Sequence, residues 1–258
     1  MHVHVALSPA EFAGAPLERR TALVVDVIRA STTVVAACVA GCRRIVPVRD
    51  RAAALGAADA LGATGVLLAG ERDGETIAGF DLGNSPLEYT ADRVSGRTVV
   101  LTTTNGTAAM LEARRAAGAG VAALTNLEAA ARWAAAQGRD VTVLCAGEGG
   151  QLSLEDAVCA GLLVEALAGA GCSMKPSDAA TAARRAASFY AVRLEHLAQD
   201  SGWARRLVRR GRAADVAACL TLAGLAQVPE LRAGAIEAGT PPSDGRAWSA
   251  GGPAEVTA

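Results

Sequence analysis

Three times in this chain a short apolar run ends in a cluster of polar residues and then passes into an apolar, alanine-rich stretch. The fullest case is RTVVL (Arg97–Leu101), which leads into Thr102, Thr103, Thr104, Asn105, Gly106 and Thr107 before AAM begins. Near the N-terminus ALVV (Ala22–Val25) runs into Asp26, Arg29, Ser31, Thr32 and Thr33, followed by VVAACVA. Further on, VTVLC (Val141–Cys145) runs into AGEGG and then SLED (Ser153–Asp156). A strand, a polar turn and a helix start together aim free backbone N–H groups and the positive helix end at an anion. In an open parallel sheet, ligands sit beyond the carboxyl ends of the strands. The three turns are therefore expected to line one crevice, with Gly106 there for a close backbone approach or a positive φ.

The remaining pattern agrees. Short β-type runs alternate with alanine-rich helical stretches, which predicts an α/β fold: three layers, α/β/α, around a mostly parallel sheet. Strands are expected at Val3–Leu7, Ala22–Val25, Arg44–Val48, Gly65–Ala69, Thr98–Leu101, Gly120–Leu124 and Val141–Cys145. Helices are expected at about 32–41, 50–61, 105–117, 126–136 and 154–168, the last capped by Ser153 with Asp156 at the N3 position of a capping box. From Pro176 to Ala226 the chain reads as helices only, with a basic segment Arg205–Arg212 expected to form a solvated face. A strand-like stretch runs from about Val228 to Ile236. Residues 1–238 are read as one α/β domain, with the helical region 172–226 a candidate subdomain. The tail 239–258, rich in Gly, Pro and Ser, is expected to be mobile.

Composition excludes several function classes. The formal net charge is −1, which argues against a dedicated nucleic-acid binder. No apolar run approaches the roughly 20 residues that span a bilayer, and no secretory signal is read in MHVHVALSPAEF, so a cytoplasmic protein is expected. The only lysine, Lys175, precedes Pro176 in a loop-like segment, so neither a P-loop nor a Schiff-base lysine is supported. Six cysteines stand in apolar surroundings without a CxxC pair, and only three histidines are present, so buried free thiols are expected and not a zinc site.

The segment Ala69–Tyr89 (AGERDGETIAGFDLGNSPLEY) has polar stretches without periodicity and reads as a functional loop. Glu71 and Arg72 follow a strand directly, and Asp81, Asn84 and Ser85 lie among turn-forming Gly79, Gly83 and Pro86. Asp73 and Glu75 read as ordinary solvent-facing charges. Two phosphatase patterns fail. Asp26 occupies the nucleophile position of the haloacid-dehalogenase type, but the second aspartate of that motif is replaced by Ile28. Cys38 and Arg44 have the spacing of a cysteine phosphatase, but the cysteine falls inside a helix and the arginine opens a strand.

The segments VVDVIRASTT, AGER, GFDLGNSPLEY, LTTTNGT and SLEDAVCAG, in this order and spacing, resemble the 2-phosphosulfolactate phosphatase family. The likeness extends from about residue 3 to 236 and includes GRAADVAACL and VPEL. It implies an α/β fold unrelated to the haloacid dehalogenases. It also implies Mg2+-dependent hydrolysis of 2-phosphosulfolactate to 3-sulfolactate and phosphate, a step toward coenzyme M. The carboxylates available for the metal are Asp26, Asp81, Glu155 and Asp156, together with Glu71; Mg2+ prefers such oxygen ligands. Asp26 comes first among them, and if Glu155 and Asp156 open a helix only one need face the crevice. Asp26, Arg29, Glu71 and Arg72 are the candidate catalytic residues, the two arginines clamping oxyanions with their forked donors. Burial of Asp26 would require a cation: the metal, Arg29 or both. Ser31, Thr32, Thr103, Thr104, Asn105, Gly106 and Thr107 would cradle one anionic group, and Asn84 and Ser85 would orient another. The expected partner is a small anionic phosphorylated metabolite, with neither nucleic acid nor membrane; a homodimer is compatible with this reading. A sensor that binds such a metabolite without turnover, and a metal-dependent phosphotransferase, are the alternatives.

Overall fold

The computed structural model describes residues 1–62, 64–170 and 173–239. The expected mobile tail, apart from Gly239, and Cys172 lie outside them. The strands are β1 (His2–Ala6), β2 (Thr21–Val25), β3 (Arg44–Pro47), β4 (Val66–Arg72), β5 (Glu75–Thr76), β6 (Thr98–Thr102), β7 (Gly118–Ala122), β8 (Val141–Cys145), β9 (Lys175–Pro176), β10 (Pro229–Arg232) and β11 (Ala235–Ala238). The helices are α1 (Ala30–Val39), α2 (Arg51–Leu61), α3 (Ala91–Val94), α4 (Gly106–Glu112), α5 (Leu127–Ala136), α6 (Leu154–Gly169), α7 (Asp178–Tyr190), α8 (Leu197–Asp200), α9 (Gly202–Arg209) and α10 (Ala213–Cys219). Short 3-10 turns join some of them. All seven expected strands and all five expected helices form, with ends shifted by a few residues.

The architecture is three-layer α/β/α around a mixed, largely parallel sheet in the order β5-β4-β6-β3-β11-β10-β7-β2-β8-β1-β9. Central β2 is buried along its whole length and sorts its side chains by period two. Leu23 and Val25 face one core, which also holds Val3, Val5, Val143 and the apolar sides of α5 and α6. Ala22 and Val24 face a second core with Ile45, Val99, Leu101 and Val34 of α1. Helix α1 is apolar almost all round because it is covered almost all round.

The structure departs from the sequence expectations at four places. The strand-like stretch near the C-terminus is a hairpin, β10–β11, inserted antiparallel between β7 and β3 in mid-sheet. Lys175 lies in the short edge strand β9, paired with β1, and not in a loop. Glu71 and Arg72 end strand β4 and do not follow it. The capping box of α6 is not made: Ser153 gives no side-chain cap, and Asp156 bonds elsewhere. Among the described residues no helix is long and apolar enough to cross a membrane.

One geometric fact places the site. Strands β2 and β6 are separated by four others in the sheet order, a span of about 24 Å along a flat sheet at the usual strand spacing. Yet the residues just after them touch: a Cβ on Gly106 would lie 2.4 Å from Asp26 Oδ2. The sheet curls, and its two halves bring their carboxyl ends to one place.

Candidate active site

Asp26 leaves the end of β2 and is tied down by its own loop. Its N–H donates to Ser31 Oγ at 2.9 Å, and its Oδ1 accepts from Ala30 N at 3.1 Å. The carboxylate thus caps α1. Its second oxygen points at Gly106, where any side chain would collide with Asp26 and Ala30; close approach, and not a positive φ, is what requires glycine. Burial is the main cause that raises the Asp26 carboxyl to about 7, with Glu71 and Glu155 adding to it while the Ala30 N–H and Arg29 oppose it.

Glu71, at the end of β4, is buried and holds two loops at once. Its oxygens accept from Gly74 N and Thr104 N, each at 2.7 Å. Strand alternation sends the next residue the other way: Arg72 bonds Thr102 Oγ1 at 2.9 Å and its own neighbour's carbonyl, off the cavity. Its role as an oxyanion clamp is not supported.

Asp26, Arg29, Glu71, Asn84, Thr104 and Asn105 line a single cavity of about 360 Å3. These six candidates come from four separate segments, and the cavity is their meeting point beyond the strand ends. Asn84 also brings a buried amide oxygen with no partner among the described residues. Such an orphaned acceptor is costly unless a ligand satisfies it.

The remaining candidates do other work. Ser31 and Thr32 bond the backbone of their own loop, Thr32 Oγ1 donating to Val27 O at 2.8 Å. Thr103 and Thr107 cap one another across the start of α4. Ser85 Oγ donates to Asp215 Oδ1 at 2.7 Å. Asp81 is exposed and its carboxylate accepts from Leu68 N at 2.8 Å, so it is no metal ligand of this cavity. Asp156 accepts from Val27 N at 2.8 Å and Gly147 N at 3.0 Å, pinning the loops after β2 and β8 together. Burial, Asp26 and Glu155 push its carboxyl up, and the two N–H donors resist. Glu155 is buried beside it with one oxygen unpartnered among the described residues, and burial raises it too. Both carboxylates are buried, but neither lines the cavity.

Of the cations expected at Asp26, Arg29 is not one that pairs with it. The Arg29 guanidinium donates to Asp215 Oδ2 at 2.7 Å and to Gly74 O at 2.8 Å, and Arg29 and Asp215 are both buried. Asp215 comes from α10, inside the GRAADVAACL segment. Its motif was visible in the sequence, but nothing there marked this aspartate as the holder of Arg29 and Ser85. The peptide bond between Ile28 and Arg29 is cis.

The basic segment is also more than a solvated face. Trp203, Arg206 and Arg210, spaced i, i+3 and i+7, present one stripe of α9 and its C-terminal end to the cavity. Trp203 Nε1 donates to Ile28 O at 2.8 Å, Arg206 stacks 5.0 Å over the Trp203 ring and pairs with Glu148, and Arg210 donates to Asp73 O. Asp73, read as an ordinary loop charge, lies at this mouth. The helical spacing of Trp203, Arg206 and Arg210 was the available signal.

A family model for 2-phosphosulpholactate phosphatase matches residues 7–234. The chain belongs to this family. A probable 2-phosphosulfolactate phosphatase of Symbiobacterium thermophilum is 40% identical over 235 residues, covering 90% of this chain and 98% of the relative. Proteins with the same description from Thermus thermophilus (40% identity, 90% and 95% covered) and Thermotoga maritima (37%, 89% and 95%) are similar along nearly their whole length. The membership makes the chain a phosphatase-type hydrolase, and the cavity at the strand ends is its candidate active site.

Proposed function

We propose that this phosphatase family member hydrolyses a small phosphomonoester carrying further acid groups, 2-phosphosulfolactate by the description of its relatives, with Mg2+, in the cytoplasm. The observation that carries the reading is Asp26: a buried carboxylate at a strand end, one oxygen against a glycine, facing a cavity walled by Glu71 and the orphaned Asn84 oxygen. Five described cysteines are free, which suits a reducing compartment.

The donor set fits a hard cation. Among the described residues no group of three or more Asp, Glu, His or Cys side chains is arranged around one point. Mg2+ does not demand one, since it commonly takes one or two carboxylates and completes its shell with water and substrate phosphate. Asp26 and Glu71, with Asn84 Oδ1, are the residues that would hold it. When bound, the ion supplies positive charge against the phosphoryl oxygens.

The chain's own groups do the positioning. Helix α4 begins at the cavity, and the N–H groups of Asn105 and Gly106 have no protein acceptor among the described residues, so they offer donors to a phosphoryl oxygen. Arg29, locked by Asp215 and Gly74, places a fixed positive charge beside them without needing to reorganise. Trp203 holds the loop at Ile28 in place through its indole N–H. Without the ion, burial raises the Asp26 carboxyl to about 7; a bound cation would keep it ionised.

The test is phosphate release from 2-phosphosulfolactate and from a panel of small phosphomonoesters. Activity is expected to vanish on exhaustive chelation and return with Mg2+. Tight binding of the ester without release would make the chain a sensor, and transfer to an added alcohol in place of water would make it a phosphotransferase.

A further inference from the structure

Three guanidinium groups line the cavity, and they differ in what already occupies them. Arg29 is buried and paired with Asp215, and Arg206 is paired with Glu148. Arg210 lines the same cavity with no carboxylate in ion-pair range among the described residues; its one bond goes to a neutral acceptor, the Asp73 carbonyl. It sits at the C-terminal end of α9 and lines the same cavity as Asp26, Thr104 and Asn105. An uncommitted guanidinium in a concave site is a fork of donors awaiting an oxyanion.

Resting on the phosphatase reading above, we infer that Arg210 binds the acid group of the substrate that is not transferred, a sulfonate or carboxylate, and so selects polyanionic esters over simple ones. The phosphoryl group engages the strand-end wall, where the N–H donors and Asp26 are. The substrate's second acid then extends across the cavity to the α9 stripe, with Arg206 beside it. Trp203 stiffens this stripe through its bond to Ile28 O and its stacking under Arg206, so Arg210 is carried on a fixed helix and not on a free loop. The neighbouring Arg209 is exposed on the same helix but does not line the cavity, which makes it the internal control for general charge.

The experiment compares wild type with Arg210→Gln, Arg210→Lys and Arg209→Gln on 2-phosphosulfolactate and on glycerol 2-phosphate, which lacks any second acid. Arg210→Gln is expected to lower kcat/KM on the acidic ester by about 10- to 100-fold, the scale of losing a hydrogen bond between charged groups, and mainly through KM. The loss on glycerol 2-phosphate should be at least tenfold smaller. Arg210→Lys should recover part of the difference, and Arg209→Gln should match wild type in its preference. An equal loss on both esters, or no loss on either, overturns the assignment. Should wild type hydrolyse neither ester, the phosphatase reading fails by itself, and calorimetric titration of phosphate-free 3-sulfolactate decides Arg210 separately. Binding at least tenfold weaker to Arg210→Gln supports it; equal affinity in the two proteins, or none in either, overturns it.

Discussion

Asp26 combines two roles that one carboxylate can hold only because its oxygens face different ways. Oδ1 caps α1 through Ala30 N, while Oδ2 faces the cavity and Gly106. Asp26→Asn keeps the shape and an acceptor for the cap but removes the charge. It is expected to leave the fold intact and cut kcat by about two orders of magnitude or more, measured by phosphate release on folded protein. The same residue gives a stability signature in chelator. Its folded pKa of about 7 lies above the ordinary 3.8, so between those values the native state holds a proton that the unfolded chain has released. Its contribution to stability is therefore full below about pH 4 and lost as pH rises through 7. Thermal melts from pH 4 to 8 should show the metal-free wild type losing Tm toward high pH, and Asp26→Asn losing less. Melts of equal slope would show that burial of this carboxylate is not the cause.

At the scale of elements, α10 reaches the site through one side chain. Asp215 bonds Arg29 from β2's loop and Ser85 from the GNSP turn, so one helix fixes two otherwise separate loops. Removing one member of a buried ion pair strands the other charge. Asp215→Ala is expected to cost about 3–5 kcal/mol in chemical denaturation and to lower activity through the released Arg29. Asp215→Asn keeps an acceptor for Arg29 and should lose less. If both substitutions cost under about 1 kcal/mol, the pair is not the tie between these elements. Helix α9 works in the same way from its other end, through Trp203.

At the scale of the molecule, the β10–β11 hairpin joins the two halves of the sheet. Without it β3 and β7 would face each other as unpaired edges. Ile236 is fully buried, pairs with Ile45 and packs in the core inside the curl. Ile236→Ala should destabilise by about 2–5 kcal/mol and lower the denaturant midpoint in a single transition. A small loss confined to the hairpin, with the rest of the sheet unaffected, would show that the halves are stable without their bridge. The curl that this bridge completes is also what sets Gly106 against Asp26, so the site depends on strands distant from it in sequence.

The chain's own local patterns were enough to establish the α/β class, the seven parallel-type strands and the strand-end turns where the cavity lies. Period-two and helical repeats report which face of an element is apolar, and strand-end turns are written in neighbouring polar residues such as Asp26 with Ser31 or Thr103 with Asn105. Six of the candidate residues meet in the cavity for that reason. Tertiary structure alone decided the rest. Arg72 turned away because pairing with β5 carries β4 through it, which puts it on the face opposite Glu71, and Thr103 and Thr107 spent their hydroxyls on each other. Arg29 found Asp215, 186 residues away, and not Asp26, three residues away. Arg206 and Arg210 entered the cavity because the C-terminal helices fold back over the strand ends. Such pairings depend on sheet order and curl, which bring together side chains that no local pattern connects.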